Sequence, residues 1–357
     1  MKLFEGAARL ILRFKSVRKT QLVTQPIQTV CFFSNTALGD TIFNTPVFRV
    51  FRQNFPHVRT VALLNPSTAP LFKTDPNIDE ILLYDGKKGG FLRALSQLKK
   101  IKPDIVFILH SNEPEATPLA VFCGVKYVFK LPNASSKFSP FHSNAPEPYG
   151  DERYVVLNRL EQLKFVGIKS RDTKLNLYLE ASDFTSVDEM LKGCGARKFI
   201  GFQMGASTVS RQWFLQRWQQ LAEIILEHTD AVIVLTGSPA ERAMTAQLED
   251  VLKSPRVINV AGKLSLREAA ALIARLDVLV TPDTGPLHVA AALKTPTIGL
   301  FAVASPVNSN PDFDENIHKF IKKPRTCSPC VGKNCKFQEC MLQIEAREVW
   351  EMLKEMI

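Results

Sequence analysis

The chain has 357 residues, 45% of them hydrophobic and 22% charged, with a net charge of +10. That composition excludes a disordered or fibrous chain, and the length suffices for two domains, each with its own core. No apolar run approaches the roughly 18–20 residues that span a bilayer, and basic residues interrupt the first apolar stretch, so a cytoplasmic protein is expected. The positive charge suits an acidic partner: a phosphorylated lipid, an anionic membrane or nucleic acid.

Residues 1–22 narrow that choice. Leu3, Ala7, Leu10, Phe14 and Val17 recur at helical spacing, while Lys2, Arg9, Arg13, Lys15, Arg18 and Lys19 supply positive charge. A basic amphipathic helix of this kind lies in a membrane interface, or else packs on its own domain with a solvated basic face. No nucleic-acid-binding motif accompanies it, so nucleic acid is set aside.

A first domain is expected over 23–175. Residues 28–34 are apolar and β-branched, the composition of a buried strand. A loop at 35–40 follows, then an amphipathic helix over 41–55 that stops before Pro56, and a strand at 60–64. Strand–loop–helix–strand is the unit of a parallel sheet, and such sheets bind ligands at the carboxyl ends of their strands. Asp40, in that loop, is either a ligand contact or a helix N-cap. Strands at 78–84 and 104–109 flank a basic helix over 91–100, and 111–115 forms a loop suited to ligand contacts. Residues 133–150, rich in Pro, Ser and Asn, read as a long loop. A helix over 154–165 precedes a linker near 167–183.

The second domain is expected over 176–357. A strand at 199–202 leads into a loop bearing Gly205, Ser207, Thr208 and Arg211, and then Trp213 and Trp218, read as core anchors. A strand at 231–236 is followed by a helix start in which Glu241 complements the helix dipole. Strand 257–260 and helix 266–275 lead to the most informative stretch, 277–301. There Val278-Leu279-Val280 is a strand, Pro282 to Pro286 a turn, 287–293 an apolar helix and 297–301 a second strand. A helix N-terminus offers unpaired N–H groups and positive potential, which suit a phosphate or diphosphate. Gly285 permits close approach. Asp283 and Thr284 either cap the helix or hold a sugar hydroxyl, and His288 taken alone reads as a core histidine. Further on, Cys327, Cys330, Cys335 and Cys340 stand close enough for a tetrahedral metal site, two disulfides or free thiols. A reducing compartment disfavours disulfides, which leaves a structural zinc or free thiols. Residues 344–357 close the chain as an amphipathic helix.

Asp283-Thr284-Gly285-Pro286-Leu287-His288-Val289-Ala290-Ala291-Ala292-Leu293, with Thr295-Pro296, resembles the donor-site signature of the ADP-heptose:lipopolysaccharide heptosyltransferase family. Leu38-Gly39-Asp40-Thr41, with Thr45-Pro46 and Asn54-Phe55-Pro56, resembles that family's N-terminal motif. The resemblance implies an α/β chain of GT-B type, two Rossmann-like domains facing across a cleft, acceptor mostly on the first and nucleotide sugar on the second. It implies an inverting glycosyltransferase that moves a heptose from ADP-heptose, or a related nucleotide sugar, to a lipopolysaccharide core acceptor. Asp40 inherits the role of general base. Ser207, Thr208, Arg211, Glu241, Asp283, Thr284, Gly285 and His288 inherit donor binding. Arg211 stands where the family usually has Lys, and Phe214 where it has Pro; a guanidinium still pairs with phosphate, and bidentately. No cofactor is required for catalysis on this reading, and any zinc in the Cys-rich loop 327–340 is structural. The implied partners are a nucleotide-sugar donor, a lipid-linked saccharide acceptor and an anionic membrane surface, at the cytoplasmic face of the inner membrane. Two rivals share the architecture: a nucleotide-sugar epimerase, which needs a further acid/base pair, and a catalytically inactive nucleotide-sugar-binding protein.

Overall fold

A computed structural model describes residues 2–14, 17–195 and 197–357. The chain divides into two compact units, Met1–Lys174 and Leu175–Ile357, each built on a parallel sheet.

The first unit has five strands: β1 (Thr29–Ser34), β2 (Arg59–Leu64), β3 (Glu80–Leu83), β4 (Ile105–His110) and β5 (Tyr127–Phe129), in the order β3-β2-β1-β4-β5. Its helices are α1 (Lys2–Leu12), α2 (Leu38–Ile42), α3 (Thr45–Asn54), α4 (Lys88–Ile101), α5 (Ala116–Phe122) and α6 (Val155–Leu160). The strands are near-continuous apolar runs, as they must be when a parallel sheet is covered on both faces. On one face Phe32, Phe107, Phe129 and Phe165 form a stack with successive centroid distances of 5.5, 5.5 and 4.5 Å. Such offset stacking adds to the burial of four large rings. On the other face Cys31, Phe33, Val106 and Ile108 pack with Leu98 of α4 and Leu119 of α5. From β1 the chain winds outward through β2 to β3, then returns to place β4 on the opposite side of β1. The topological switch point therefore lies between β1 and β4.

The second unit has six strands: β6 (Phe199–Gln203), β7 (Val232–Thr236), β8 (Val257–Asn259), β9 (Val278–Pro282), β10 (Thr297–Phe301) and β11 (His318–Lys322), in the order β11-β10-β9-β6-β7-β8. Its switch point lies between β6 and β9. The helices are α7 (Ala181–Lys192), α8 (Leu215–His228), α9 (Arg242–Leu252), α10 (Leu266–Arg275), α11 (Gly285–Ala292), α12 (Pro306–Ser309), α13 (Glu339–Leu342) and α14 (Ala346–Leu353). Trp218 is fully buried 4.8 Å from Phe202 and 5.0 Å from Trp213, so both tryptophans are core anchors. Helix α10 starts where expected because Ser265 and Glu268 form a capping box.

Several elements depart from expectation. The helix expected over 41–55 is two helices, because Pro46 has no N–H to give to the carbonyl of Ile42 and sits instead in the first turn of α3. Helix 154–165 turns into a 3₁₀ segment, Glu161–Val166, closed by Gly167 in the left-handed region. The linker span 167–183 already contains the start of α7, fixed by reciprocal capping between Glu180 and Asp183. Strand β11, which reads His-Lys-Phe-Ile-Lys, was not expected. The segment 133–150 holds only a short 3₁₀ turn, Ser139–Phe141.

Helix α1 departs most. It packs against α5, burying Ala8 and Leu12, while Ala7, Leu10, Ile11 and Phe14 remain exposed beside Arg9 and Arg13. The single apolar stripe expected there is thus two: a short buried face, and an exposed one on which Leu10 is 57% and Phe14 84% accessible. Val17 is partly buried against the core, Lys15 lies outside the described residues, and so do the side chains of Lys2 and Leu3. Among the described residues no helix is long and apolar enough to cross a membrane.

Candidate functional site

In the first unit, the loop after β1 and the end of β4 meet at the switch point. The N-cap of α2 is Ala37, extended and without a side-chain cap, so Asp40 lies in the first turn and is not the cap. Its carboxylate is left for other partners. Asp40 Oδ1 lies 3.5 Å from His110 Nε2, and Thr36 Oγ1 lies 3.4 Å from Asp40 Oδ2. His110 is the last residue of β4, and its Nδ1 is 2.6 Å from Thr36 Oγ1. Asp40 and His110 keep side-chain exposures of 29% and 35%, enough to meet a ligand.

Arg159 of α6 sits behind them, buried, donating to the Leu109 carbonyl. Burial, the Arg159 charge and Lys130 push the His110 pKa down to about 4, against the upward pull of Asp40, so the imidazole is neutral at pH 7. Lys130 itself is paired with Glu113 at 2.9 Å. Ser111 donates to Asn35, tying the loop after β4 to the loop after β1. Two members of the expected contact loop 111–115 are therefore part of the site's surround.

In the second unit, the expected donor residues fall on the loops after β6, β7 and β9, which are contiguous in the sheet. Arg211 spans the switch point: its guanidinium is 3.5 Å from Asp283 Oδ2 and donates to the Asp283 carbonyl at 3.2 Å. Its Nε–H is buried with no hydrogen-bond partner among the described residues. His288 Nε2 lies 3.9 Å from Asp283 Oδ1, both side chains buried. Thr284 is the N-cap of α11 by its extended backbone, but its side chain makes no capping bond; Oγ1 is 3.2 Å from Thr281 Oγ1 and 3.3 Å from the Pro282 carbonyl. Neither Asp283 nor Thr284 is a side-chain cap, and Gly285 opens the helix. Ser207 is exposed, and Thr208 Oγ1 is 3.0 Å from Ser210 Oγ.

Glu241 does cap. Its carboxylate accepts from the Ser238 N–H at 2.6 Å and from Gln203 Nε2 at 3.3 Å. It also lies against Gly205, where a Cβ would come within 1.7 Å of Glu241 Oε1. The loops after β6 and β7 therefore touch where Gly205 leaves room for the Glu241 carboxylate.

Sequence reasoning missed His110 and Arg159, and also Lys322, which ends β11, and Arg325 beyond it. Lys322 donates to the carbonyls of Ala302 and Ala304, and Arg325 to that of Val303, bracing the loop after β10. A lone histidine ending an apolar strand carries no signal until the strand order is known.

Cys327, Cys330, Cys335 and Cys340 line one largely apolar cavity of about 240 Å³, together with Val331 and Phe337. All are free thiols. Their chemistry would suit zinc, but among the described residues no group of three or more His, Cys, Asp or Glu side chains is gathered to hold a metal ion. The zinc expectation does not fit this geometry.

Residues 122–341 match the family model described as glycosyltransferase family 9 (heptosyltransferase). The chain is 24% identical over 354 residues to the lipopolysaccharide core heptosyltransferase OpsX of Haemophilus influenzae, covering 94% of this chain and 99% of the relative. Among solved structures, a glycosyl transferase family 9 protein from Veillonella parvula superposes with a TM-score of 0.79 at 21% identity, covering 94% of this chain and 99% of that one. ADP-heptose lps heptosyltransferase II of E. coli superposes with a TM-score of 0.77 at 18% identity, covering 92% and 98%. These likenesses give the architecture two Rossmann-like domains of the GT-B type.

Proposed function

Because the chain belongs to glycosyltransferase family 9, the heptosyltransferases, we propose that it moves a heptose from ADP-heptose to a sugar of a lipopolysaccharide core, with inversion at the anomeric carbon. The observation that carries this reading is that the two family-like motifs each occupy the switch point of their own sheet, where parallel sheets hold ligands.

In this mechanism Asp40 accepts the proton of an acceptor hydroxyl as that oxygen attacks the anomeric carbon. The bond from the anomeric carbon to the diphosphate breaks, and its electron pair leaves with ADP. Arg211, the hydroxyls of Ser207 and Thr208 and the N–H groups that open α11 at Gly285 balance the charge that develops there. Asp283 and His288 hold the guanidinium side of this site, and Thr284 and Glu241 face the nucleoside. The cysteine-lined cavity takes no part.

Residues 23–175 serve as the acceptor unit and 176–357 as the donor unit. Helix α1 brings the enzyme to an anionic membrane, because exposed Leu10, Ile11 and Phe14 flanked by Arg9 and Arg13 suit the boundary between headgroups and acyl chains. On this reading it works at the cytoplasmic face of the inner membrane, where a lipid-linked acceptor is met.

The test is incubation with ADP-heptose and a heptose-deficient lipopolysaccharide, followed by mass spectrometry of both. Heptose on the acceptor with release of ADP supports the proposal. An isomerised donor would make the protein an epimerase, and bound donor without turnover would make it an inactive binding protein.

A further inference from the structure

We propose that His110 is a positioning residue for proton transfer: its Nε2–H holds one oxygen of the Asp40 carboxylate, and so turns the other oxygen toward the acceptor hydroxyl. The inference rests on the reading of Asp40 as the base.

The ring has two neutral tautomers, and its surroundings choose between them. If Nδ1 carried the proton, the Nε2 lone pair would point at the Asp40 carboxylate 3.5 Å away, two acceptors facing each other. If Nε2 carries it, the N–H points at Asp40 Oδ1, and the Thr36 hydroxyl gives its one proton to Nδ1 at 2.6 Å, the shorter of its two contacts, the other being 3.4 Å to Asp40 Oδ2. The second arrangement forms a directed chain, Thr36 O–H to His110 Nδ1 and His110 Nε2–H to Asp40 Oδ1. Burial keeps the ring neutral, helped by Arg159 from α6 and Lys130 after β5, which oppose a proton, against Asp40 from α2, which draws one toward it. A neutral donor orients the carboxylate without forming an ion pair with it.

Orientation matters because a carboxylate on a five-residue helix can turn about its last bond, and only one oxygen serves as the base. Fixing it replaces entropy that would otherwise be lost in the transition state. The separation of 3.5 Å is loose, as it commonly is before substrate binds, and closes when the acceptor excludes water. The contact exists only because β4 lies beside β1 in the sheet.

The experiment compares His110→Ala, His110→Gln and Thr36→Val in the full chain, each first checked for an unchanged thermal transition. Gln places an amide N–H near the position of Nε2. His110→Ala is expected to lower kcat by about 10–100-fold, the usual cost of a misplaced catalytic group, with ADP affinity and acceptor KM unchanged. His110→Gln should recover most of that loss, and Thr36→Val should fall between. In an Asp40→Asn background the Ala substitution should cost nothing further, since there is no base left to position. Full kcat in His110→Ala, a raised acceptor KM at unchanged kcat, no recovery by a folded Gln variant, or an equal loss in the Asp40→Asn background would each overturn the proposal. If the Ala variant fails to fold, the Gln and Thr36→Val variants decide it. Nitrogen-15 NMR of the ring tests the geometry independently of turnover: a neutral Nε2–H tautomer at pH 7 is expected, and an Nδ1–H or doubly protonated ring contradicts it. Failure of the wild-type protein to transfer heptose would count against the proposed function, and the NMR result would still stand or fall alone.

Discussion

Each unit puts a carboxylate at its switch point, but the two carboxylates live in opposite surroundings. Asp40 is nearly a third exposed and is faced by a neutral imidazole and a hydroxyl. Asp283 is 8% exposed and lies between a guanidinium at 3.5 Å and a buried imidazole at 3.9 Å. An exposed carboxylate with no cation in contact can take a substrate proton. A buried one beside a cation serves instead to aim it. The same architecture thus yields a proton acceptor in one unit and a held positive charge in the other, and the difference comes from which neighbouring strand supplies a histidine and which loop supplies an arginine.

The largest expected effect is at the first switch point. Asp40→Asn should lower turnover by about 10²–10⁴-fold, the range for losing a general base, while ADP binds as before. Steady-state rates with ADP-heptose check this; a variant as fast as wild type would make Asp40 a structural residue of α2. At the second switch point, Arg211→Ala should weaken ADP by about 10–100-fold, the worth of a charge-assisted hydrogen bond, and leave adenosine almost unaffected. Equal losses for both ligands would mean that Arg211 supports the loop and not the phosphates.

How far these sites could be read from sequence differs between the units for the same physical reason. The donor residues lie in short loops whose Gly, Ser, Thr and Asp spacing is local, and 266–275 and 297–301 matched α10 and β10 because a capping box and a β-branched run are local signals as well. His110 is not local. It follows an apolar run, Ile105 to Leu109, and gains meaning only when β4 is set beside β1. Arg159 is further still, on a helix expected to be longer than α6 is. The break between α2 and α3 was legible in Pro46 and was overlooked. Strand β11 was hidden because an edge strand with two half-buried lysines lacks the apolar run of its neighbours. On α1 the periodicity identified a helix, but which apolar residues face the protein depends on α5, far away in sequence.

That helix distinguishes the units in a third way, since only the first carries it. Leu10→Asp with Phe14→Asp should weaken binding to anionic vesicles by at least about tenfold, given the apolar area each side chain would bury. Turnover on a short, water-soluble acceptor should not change. Cosedimentation with vesicles checks it, and undiminished binding would return α1 to a plain surface helix.

The last expected effect is on stability. Burial pushes His142 in the first unit down to about 3 and His318 in the second down to about 4. His142 is held neutral between Thr117 at 2.9 Å and Asn133 at 3.1 Å. A histidine depressed in the folded state is protonated first in the unfolded chain. Its stabilisation is therefore full above about pH 6.5 and is lost as pH falls toward 3–4, at up to about 1.4 kcal/mol per pH unit for each ring. Melting temperature should fall over that window, and less steeply in His142→Gln. Parallel slopes would show that His142 titrates normally.

The division of labour itself is tested most directly by the double variant Asp40→Asn/Arg211→Ala. Independent sites multiply their effects, whereas residues that act as one unit do not. With kcat/KM for ADP-heptose measured in wild type, both single variants and the double, the loss in the double should equal the product of the two single losses. A double variant no slower than Asp40→Asn alone would contradict the account, because Arg211 would then contribute only while Asp40 is present and the two roles would not be separate.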